Sequence, residues 1–254
     1  MVGLDAVLST FAARIYRRLL HRHDNLGVRG LLGMRRMPAL PERSLQLHPF
    51  DVEHGTHTGG YVPGDALRTG SAADLYNTAY YAISPSTFRS ALAQVPDALD
   101  DFAFVDLGCG KGRALLVAAE FAFAEVLGVE IAPALAESAR RNTQRDERIS
   151  VVTGDARRVV YPERALVVFL YHPFLKPVVR EALRNLKRQL RVHPRAAWVL
   201  YANPSYEDML SGLGFLQKVW DLRFALSTVD AAADRHGISE ERYTLYRIVP
   251  GATP

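Results

Sequence analysis

The sequence predicts an α/β fold in which helices cover both faces of a mostly parallel, doubly wound sheet. Two observations predict this class. From about residue 84 onward, short apolar segments typical of buried strands alternate with segments typical of helices. The first of these apolar segments, 102–106, ends in an acid and runs into a loop with glycine at every second position before a helix begins. Ligands of the nucleotide type bind where such strands end.

The N-terminal region precedes this alternation. Apolar residues recur on one helical face over 4–19, with arginines largely off that face, which predicts an amphipathic helix that ends at the glycines of 27–30. Prolines and glycines interrupt 33–70, which we interpret as an irregular connector. We therefore predict a segment of helix and connector over 1–69 and a second domain over 70–254.

The second domain is predicted to start with a helix and to contain seven strands. Ser84 is the expected N-cap and Pro85 the first residue of a helix that runs to Val95. Strands are expected at 102–106, 124–130, 149–153, 165–171, 196–201, 215–222 and 242–249, and helices at 113–121, 133–143, 177–190 and 206–213. The polar loop of 227–240 shows no clear crossover helix, so the last two strands can pair antiparallel.

The composition limits the class of protein. The chain has 254 residues, of which 48% are hydrophobic and 23% charged, and its net charge is +4. These values are ordinary for a globular protein. Cys109 is the one cysteine, which excludes an intrachain disulfide and a zinc site built on several thiolates. No secretion signal and no apolar run of about 18 residues occurs, so we expect a cytoplasmic protein without a transmembrane segment.

The spacing of the glycine loop narrows the ligand. Gly108, Gly110 and Gly112 are each two residues apart, whereas a dinucleotide-binding fingerprint has its third glycine three residues after the second. A phosphate-binding P-loop ends in Gly-Lys-Ser/Thr, and here Lys111 is followed by glycine. The spacing therefore disfavours both kinds of loop. The glycines let a ligand lie against the backbone, and the following helix is expected to direct free N–H groups at it.

The string Asp106-Leu-Gly-Cys-Gly-Lys-Gly112 resembles the first motif of the class I S-adenosylmethionine-dependent methyltransferases. The resemblance implies a Rossmann-like, seven-stranded sheet whose last strand is antiparallel. It also implies that the loop, from Gly108 through Cys109 and Gly110 to Gly112, wraps the amino-acid end of S-adenosylmethionine, and that Asp106 helps to hold this cofactor. Because Cys109 lies in the loop, it is a poor candidate for a nucleophile.

Acids follow three successive strands and are predicted to meet at one edge of the sheet. Asp106 ends the first strand, Glu130 ends the second and Asp155 follows the third. Glu130 comes 22 positions after the first glycine of the loop, close to the ~20 expected for an acid that binds ribose hydroxyls. The resemblance implies that Glu130, with Ile131 beside it, holds the ribose. It also implies that Asp155 contacts the adenine amino group near the backbone of Ala156.

The fourth strand ends in Tyr171-His172-Pro173-Phe174. Members of the resembled family that act on amine or amide nitrogens often end this strand with Asn/Asp-Pro-Pro-aromatic, and here His172 replaces the amide or acid. His172 is the candidate catalytic residue, since an imidazole can accept a proton from a hydroxyl or ammonium group near neutral pH. The alternative is that His172 orders the loop or packs beside the cofactor. Tyr171 is predicted to contact the cofactor.

The segment ahead of the first strand carries further candidates. Residues 51–61 combine polar groups with glycines, which is compatible with a lid over the cofactor or with a plain ordered loop. Tyr76, Tyr80 and Tyr81 fit either a substrate entrance or core packing. His54 and His57 lack a clear third ligand, so no metal site is predicted.

These observations predict an enzyme that transfers a methyl group from S-adenosylmethionine to an unidentified nitrogen or oxygen acceptor on a small molecule or a protein. The alternatives are a non-catalytic partner subunit that binds the cofactor, a nucleic-acid methyltransferase that uses the arginine-rich N-terminal helix, and a nicotinamide-dependent oxidoreductase, which the glycine spacing disfavours. The sequence leaves the oligomeric state open.

Overall fold

The computed structural model of the protein describes residues 48–67, 69, 76, 78–171, 174–234 and 237–249. The predicted N-terminal helix over 4–19 and the candidate catalytic residue His172 lie outside the described residues.

The described helices are α1 (Pro49–His54), α2 (Pro85–Leu92), α3 (Arg113–Ala118), α4 (Pro133–Thr143), α5 (Lys176–Val192), α6 (Glu207–Ser211) and α7 (Thr228–Ala233). The strands are β1 (Tyr61–Val62), β2 (Tyr80–Tyr81), β3 (Phe102–Leu107), β4 (Glu125–Glu130), β5 (Ile149–Thr153), β6 (Ala165–Tyr171), β7 (Ala197–Ala202), β8 (Leu216–Ala225) and β9 (Glu240–Ile248). Short 3-10 helices span Gly64–Ala66 and Ala156–Arg158.

Seven strands form one sheet in the order β5-β4-β3-β6-β7-β9-β8. Strands β3 to β7 run parallel to one another. Strand β9 lies between β7 and β8 and is antiparallel to both. The α/β class, the seven strands and the antiparallel last strand are therefore confirmed. Because β3, β4 and β6 are parallel, their carboxyl ends lie at one edge of the sheet, where the glycine loop also begins.

Helices cover both faces of this sheet. The central strand β3 is buried at every residue, as expected for a parallel strand with both faces covered. One apolar cluster packs α5 and α6 against one face of the sheet, and a second packs α2 and α3 against the other. Since apolar side chains alternate between the two faces along each strand, the two clusters hold the ends of the strands in fixed positions.

The predicted irregular connector over 33–70 is wrong for part of its described length. Residues His48–Val62, which we call the strap, contain α1 and β1, and β1 pairs with β2. The strap is ordered by a buried aspartate, Asp51, whose contacts are described below. A polar residue in a proline- and glycine-rich segment gives no periodic signal, so the sequence could not predict this order.

The loop between β8 and β9 also contains a helix that the sequence did not predict. In α7, Asp230 is buried and accepts hydrogen bonds from the backbone N–H of Ser86, at 2.7 Å, and from its hydroxyl, at 2.5 Å. Ser86 lies in the first turn of α2. The short helix is therefore stabilised by long-range polar contacts of one buried aspartate and lacks the apolar period from which a helix is predicted.

Candidate cofactor-binding site

The glycine loop joins β3 to α3 in a conformation that favours glycine. The φ angles of Gly108, Gly110 and Gly112 are 86°, 54° and 89°, all in the left-handed region that L side chains rarely adopt. At Gly112 a Cβ atom would also lie 3.2 Å from the Thr143 methyl carbon and 3.4 Å from Ala139, so this glycine lets α3 start against α4.

The N–H groups of the loop are used within the protein. Gly108 and Cys109 both donate to the carbonyl oxygen of Val129, at 2.8 and 3.1 Å. The N–H of Gly110 donates to Glu130 Oε2 at 2.9 Å, and that of Gly112 to the Cys109 carbonyl. These N–H groups belong to the loop itself, and the expectation that the first N–H groups of the following helix face the ligand stays a prediction.

Glu130 links the second strand to the loop. Its Oε2 accepts from Gly110, and its Oε1 accepts from the N–H of Ala132 at 2.8 Å. The side chain is buried, and burial raises its pKa above the usual value even though these backbone hydrogen bonds lower it. Two hydrogen bonds therefore fix the Glu130 carboxyl at the end of β4, next to the glycine loop.

Asp106 is buried at the end of β3 without a hydrogen-bond donor among the described residues. Burial, and after it the charge of Glu130, raise the pKa of Asp106 well above its usual value. An isolated buried carboxylate is unfavourable unless a donor or a cation compensates it. A ligand with an ammonium group beside Asp106 would supply both.

Cys109 has a packing role. Its sulfur contacts the backbone of β4 so closely that a Cβ at Gly128 would lie 2.8 Å from it. Burial raises the pKa of the thiol well above its usual value, and the charges of Asp106 and Glu130 add to this effect. The thiolate is the nucleophilic form, so this environment agrees with the interpretation that Cys109 is no nucleophile.

A shallow pocket lies beside the ends of β4 and β5. It brings together three of the predicted site residues, Ile131, Asp155 and Ala156. The other lining residues were not among the predicted cofactor-binding residues, although Tyr76 was a candidate for a substrate entrance. They come from the segment before β2, from the 3-10 helix after β5, and from the segment before α5 and its first turn: Tyr76, Arg157, Phe174 and Val178. Tyr76 and Phe174 are aromatic and Val178 is aliphatic, so a flat apolar ring is the kind of group that this pocket suits.

Asp155 is already engaged by its neighbour. Both Asp155 oxygens accept from Arg157, with Nε at 3.0 and 2.9 Å and Nη2 at 2.5 Å, and Oδ1 also accepts from the Arg157 backbone N–H. Burial by itself would raise the pKa of Asp155, but these hydrogen bonds and the arginine charge lower it. Asp155 is therefore ionised at neutral pH, and an adenine amino group would share its oxygens with Arg157.

Tyr171 lies on the other side of the sheet from this pocket. Its hydroxyl donates to Glu241 Oε1 at 2.9 Å, and its ring meets the Tyr81 ring edge-on at 5.3 Å. Glu241 is buried and also accepts from Thr87 and from Tyr243. Tyr171 is thus absent from the lining of the pocket, and its contact with the cofactor stays a prediction.

The strap is clamped onto the glycine loop by a buried ion pair. Asp51 Oδ2 lies 2.9 Å from Nη2 of Arg113, the first residue of α3, and the two side chains are 0% and 5% exposed. Asp51 also accepts from the hydroxyls of Thr56 and Thr58 and from the N–H groups of Thr58 and Gly59. This one carboxylate therefore organises the strap around the end of the loop.

Two further contacts fix the strap to the loop residues themselves. The Lys111 ammonium donates to the Gly59 carbonyl at 2.7 Å, and the Tyr80 hydroxyl donates to the Thr58 carbonyl and accepts from the Lys111 N–H. The Tyr80 ring covers Gly110, where a Cβ would lie 2.1 Å from Tyr80 Cε2. Of the two interpretations of residues 51–61, the structure supports an ordered segment.

The strap histidines make local contacts. The His54 ring stacks on Phe50 at 4.0 Å, and the backbone of His57 exchanges hydrogen bonds with Asn142. No group of three potential metal ligands was found in the part of the chain that the structure describes. Within the same described residues, no helix is long and apolar enough to cross a membrane.

The centre of the chain is similar to one family of known proteins. Residues 104–193 match a family model described as a methyltransferase domain. None of the curated proteins matches the sequence.

Several solved structures are similar to part of the chain. The N-methyltransferase NodS from Bradyrhizobium japonicum, in complex with S-adenosyl-l-homocysteine, is 12% identical over 64% of this chain and 86% of its own, with a TM-score of 0.45. An RNA methyltransferase from Salinibacter ruber, in complex with the same molecule, is 21% identical over 68% of this chain and 97% of its own (TM-score 0.46). YcgJ from Bacillus subtilis is 14% identical over 63% and 97% (TM-score 0.45). At these identities and TM-scores the similarities carry no information on a substrate.

Proposed function

Since residues 104–193 form a class I S-adenosylmethionine-dependent methyltransferase domain, we propose that this enzyme transfers the methyl group of S-adenosylmethionine to a nitrogen or oxygen atom of its acceptor. The sulfonium of the cofactor is already activated for transfer, so the protein chiefly has to hold donor and acceptor in line. The proposal therefore depends on whether the residues at the edge of the sheet fit the cofactor.

The buried carboxyl of Asp106 is the observation that carries the proposal. Because no described donor reaches it, the ammonium group at the amino-acid end of the cofactor is a suitable partner. The loop carbonyls are a second set of acceptors, since the loop N–H groups described above are used within the protein. Asp106 and the loop carbonyls would thus hold the ammonium group of the amino-acid end.

The adenosine end fits the residues that follow. Glu130 keeps an acceptor capacity beyond its backbone hydrogen bonds, because each carboxylate oxygen has two lone pairs, and it would bind the ribose hydroxyls. The pocket of Ile131, Ala156, Phe174 and Val178 would take the adenine ring, with Asp155 at its polar edge.

The acceptor would lie beyond β6, which ends at Tyr171 and is followed in the sequence by His172. His172 stays the proposed proton acceptor for a hydroxyl or ammonium target. The buried Glu241 holds the Tyr171 hydroxyl and is expected to position the tyrosine at this end of the sheet.

Calorimetric binding of S-adenosylhomocysteine tests the cofactor site. We expect Asp106→Asn and Glu130→Gln to weaken binding about 10-fold or more, because each removes a charged hydrogen-bond acceptor. The exposed Glu137→Gln is the matched control and should leave the affinity unchanged. Equal affinities in all four proteins would contradict the proposed site.

Transfer itself is tested with S-adenosylmethionine labelled in its methyl group and a cell extract divided into protein, nucleic-acid and small-molecule fractions. We expect label to enter one fraction and His172→Ala to reduce its incorporation. Cofactor binding without any incorporation would instead identify a non-catalytic binding subunit.

A further inference from the structure

The solvent-facing side of α5 is almost entirely cationic. Five residues, which we call the basic row, are exposed along this side, four of them at successive intervals of four: Lys176, Arg180, Arg184, Arg188 and Arg191. Residues four apart are neighbours on a helix surface and rise by about 6 Å. The row therefore presents regularly spaced positive charges over more than three helical turns.

Acidic side chains do not compensate these charges. Glu181 is the one carboxylate within α5, and it pairs with Arg184 at 2.9 Å. In the part of the chain that the structure describes, no ion pair joins Lys176, Arg180 or Arg191 to an acid. Like charges four residues apart destabilise a helix. Folding stability therefore does not account for the row.

A second helix of the same protein shows the usual arrangement. On α4, Arg140 and Arg141 both pair with Glu137, at 3.4 and 3.2 Å. The arginine-rich composition of the chain applies to both helices, so composition does not explain why the paired arginines of α4 share an acid while Lys176, Arg180 and Arg191 have none among the described ion pairs.

The row starts at the candidate cofactor site. Lys176 lies between Phe174 and Val178, which both line the pocket. At its middle, Asn185 donates to the Val159 carbonyl at 2.8 Å, which holds the segment with the exposed Arg158 against α5. A ligand that follows the row therefore ends beside the candidate cofactor pocket, at the carboxyl edge of the sheet.

The chemistry of the row favours one kind of ligand. Arginine binds phosphate groups through two parallel hydrogen bonds, and nucleic-acid interfaces are polar and strongly positive. Helix α5 contains no aromatic residue, whereas the centres of protein–protein interfaces are enriched in aromatic anchors. The apolar side of α5 is buried in the core and cannot insert into a membrane surface.

We propose that the basic row binds the phosphodiester backbone of a nucleic acid and directs it toward the carboxyl edge of the sheet. This inference rests on the proposed function, because it names nucleic acid as the class of acceptor. It differs from the alternative drawn from the sequence, which placed nucleic-acid binding on the N-terminal helix.

Fluorescence anisotropy with labelled 20-nucleotide RNA and DNA strands tests the proposal on the full chain. The double variant Arg180→Gln, Arg188→Gln removes two charges from the row, and Arg141→Gln, Arg223→Gln removes two from exposed positions elsewhere. We expect the row variant to bind at least about 10-fold more weakly at low salt. Its slope of log K against log salt should be shallower by about 1.4, since each single-strand phosphate contact contributes about 0.7.

The control variant should bind the labelled strands as the wild type does. All three proteins should bind S-adenosylhomocysteine equally, which separates a test of the basic row from a test of the cofactor site. Tighter binding of RNA or of DNA would show which strand is the source of the backbone. Equal losses in both variants would overturn the proposal in favour of a general charge effect. Binding of polyglutamate or of phosphatidylserine vesicles without binding of either strand would overturn it in favour of an acidic protein or a membrane.

Discussion

Single residues explain why the glycine loop has its spacing. The spacing suggests a loop open to a ligand, and the structure shows two further reasons, both within the protein, why glycine is needed in this loop. Gly112 leaves room for α4, and Gly110 leaves room for the Tyr80 ring. Part of the glycine pattern is therefore required by packing of the strap and of α4, independently of the cofactor.

We expect Gly110→Ala to destabilise the protein in two separable ways. A side chain at a φ of +54° costs about 1–3 kcal/mol, and the new Cβ would also lie 2.1 Å from Tyr80. The free energy of unfolding in urea measures the sum. In a Tyr80→Ala background the clash is removed, so the same substitution should cost less there.

Gly212→Ala is the matched control. Gly212 has a φ of −75°, and a Cβ there makes ordinary contacts, with the nearest atom at 3.5 Å. It should change the unfolding free energy little. An equal cost of Gly110→Ala with and without Tyr80 would show that the ring does not restrict the loop.

The elements of the sheet were predictable because their signals are local. Strands β5 and β6 and helix α4 have the bounds that apolar period and length predict, and the acids that end β3 and β4 follow from the strand positions. The strap and α7 were not predictable, since each depends on one buried aspartate with partners far along the chain: Asp51 with Arg113, and Asp230 with Ser86. The same holds for the engagement of Asp155 by Arg157, because the sequence shows their proximity and not their hydrogen bonds.

The buried ion pair between Asp51 of the strap and Arg113 of α3 should contribute more to the free energy of unfolding than most polar contacts. Asp51→Ala leaves the buried Arg113 without its partner, which typically costs about 3–5 kcal/mol in the free energy of unfolding. Combining it with Arg113→Met removes the uncompensated charge and should restore part of the loss. Glu137→Ala, which breaks the exposed pairs with Arg140 and Arg141, should cost only about 1 kcal/mol or less.

The stabilisation that the Asp51–Arg113 ion pair gives to the folded protein also depends on pH, and the pKa of Asp51 gives the direction of this dependence. Burial alone would raise the pKa of Asp51, but hydrogen bonds from Thr58 and the charge of Arg113 lower it overall. A lowered pKa stabilises the folded state above the ordinary value of 3.8 and loses that effect as the pH falls through the folded value. Proteolysis within the strap should therefore increase on acidification below about pH 4. The same susceptibility at pH 3 and pH 7 would contradict the role of Asp51.

At the scale of the whole molecule, the fold brings two buried acids together where it is expected to bind a cation. The carboxyl ends of the parallel strands β3 and β4 place Asp106 beside Glu130, and burial raises the pKa of both. An acid with a raised pKa destabilises the folded protein progressively as the pH rises from its ordinary value, 3.8 for Asp106, through the folded value. The two buried acids therefore lower the stability of the ligand-free protein, and they form a site that suits a positive group.

We expect the protein to release protons when the cofactor binds. An ammonium group beside Asp106 lowers the raised pKa, so the bound protein holds fewer protons and the affinity for S-adenosylhomocysteine increases as the pH rises above the ordinary value of 3.8 toward the raised value of the free protein. Calorimetry in two buffers with different ionisation enthalpies measures the released protons directly. Asp106→Asn removes the titrating group and should flatten the pH dependence as well as weaken the binding. An affinity that is independent of pH, or a variant that keeps the wild-type slope, would show that the cofactor's positive group does not lie beside Asp106.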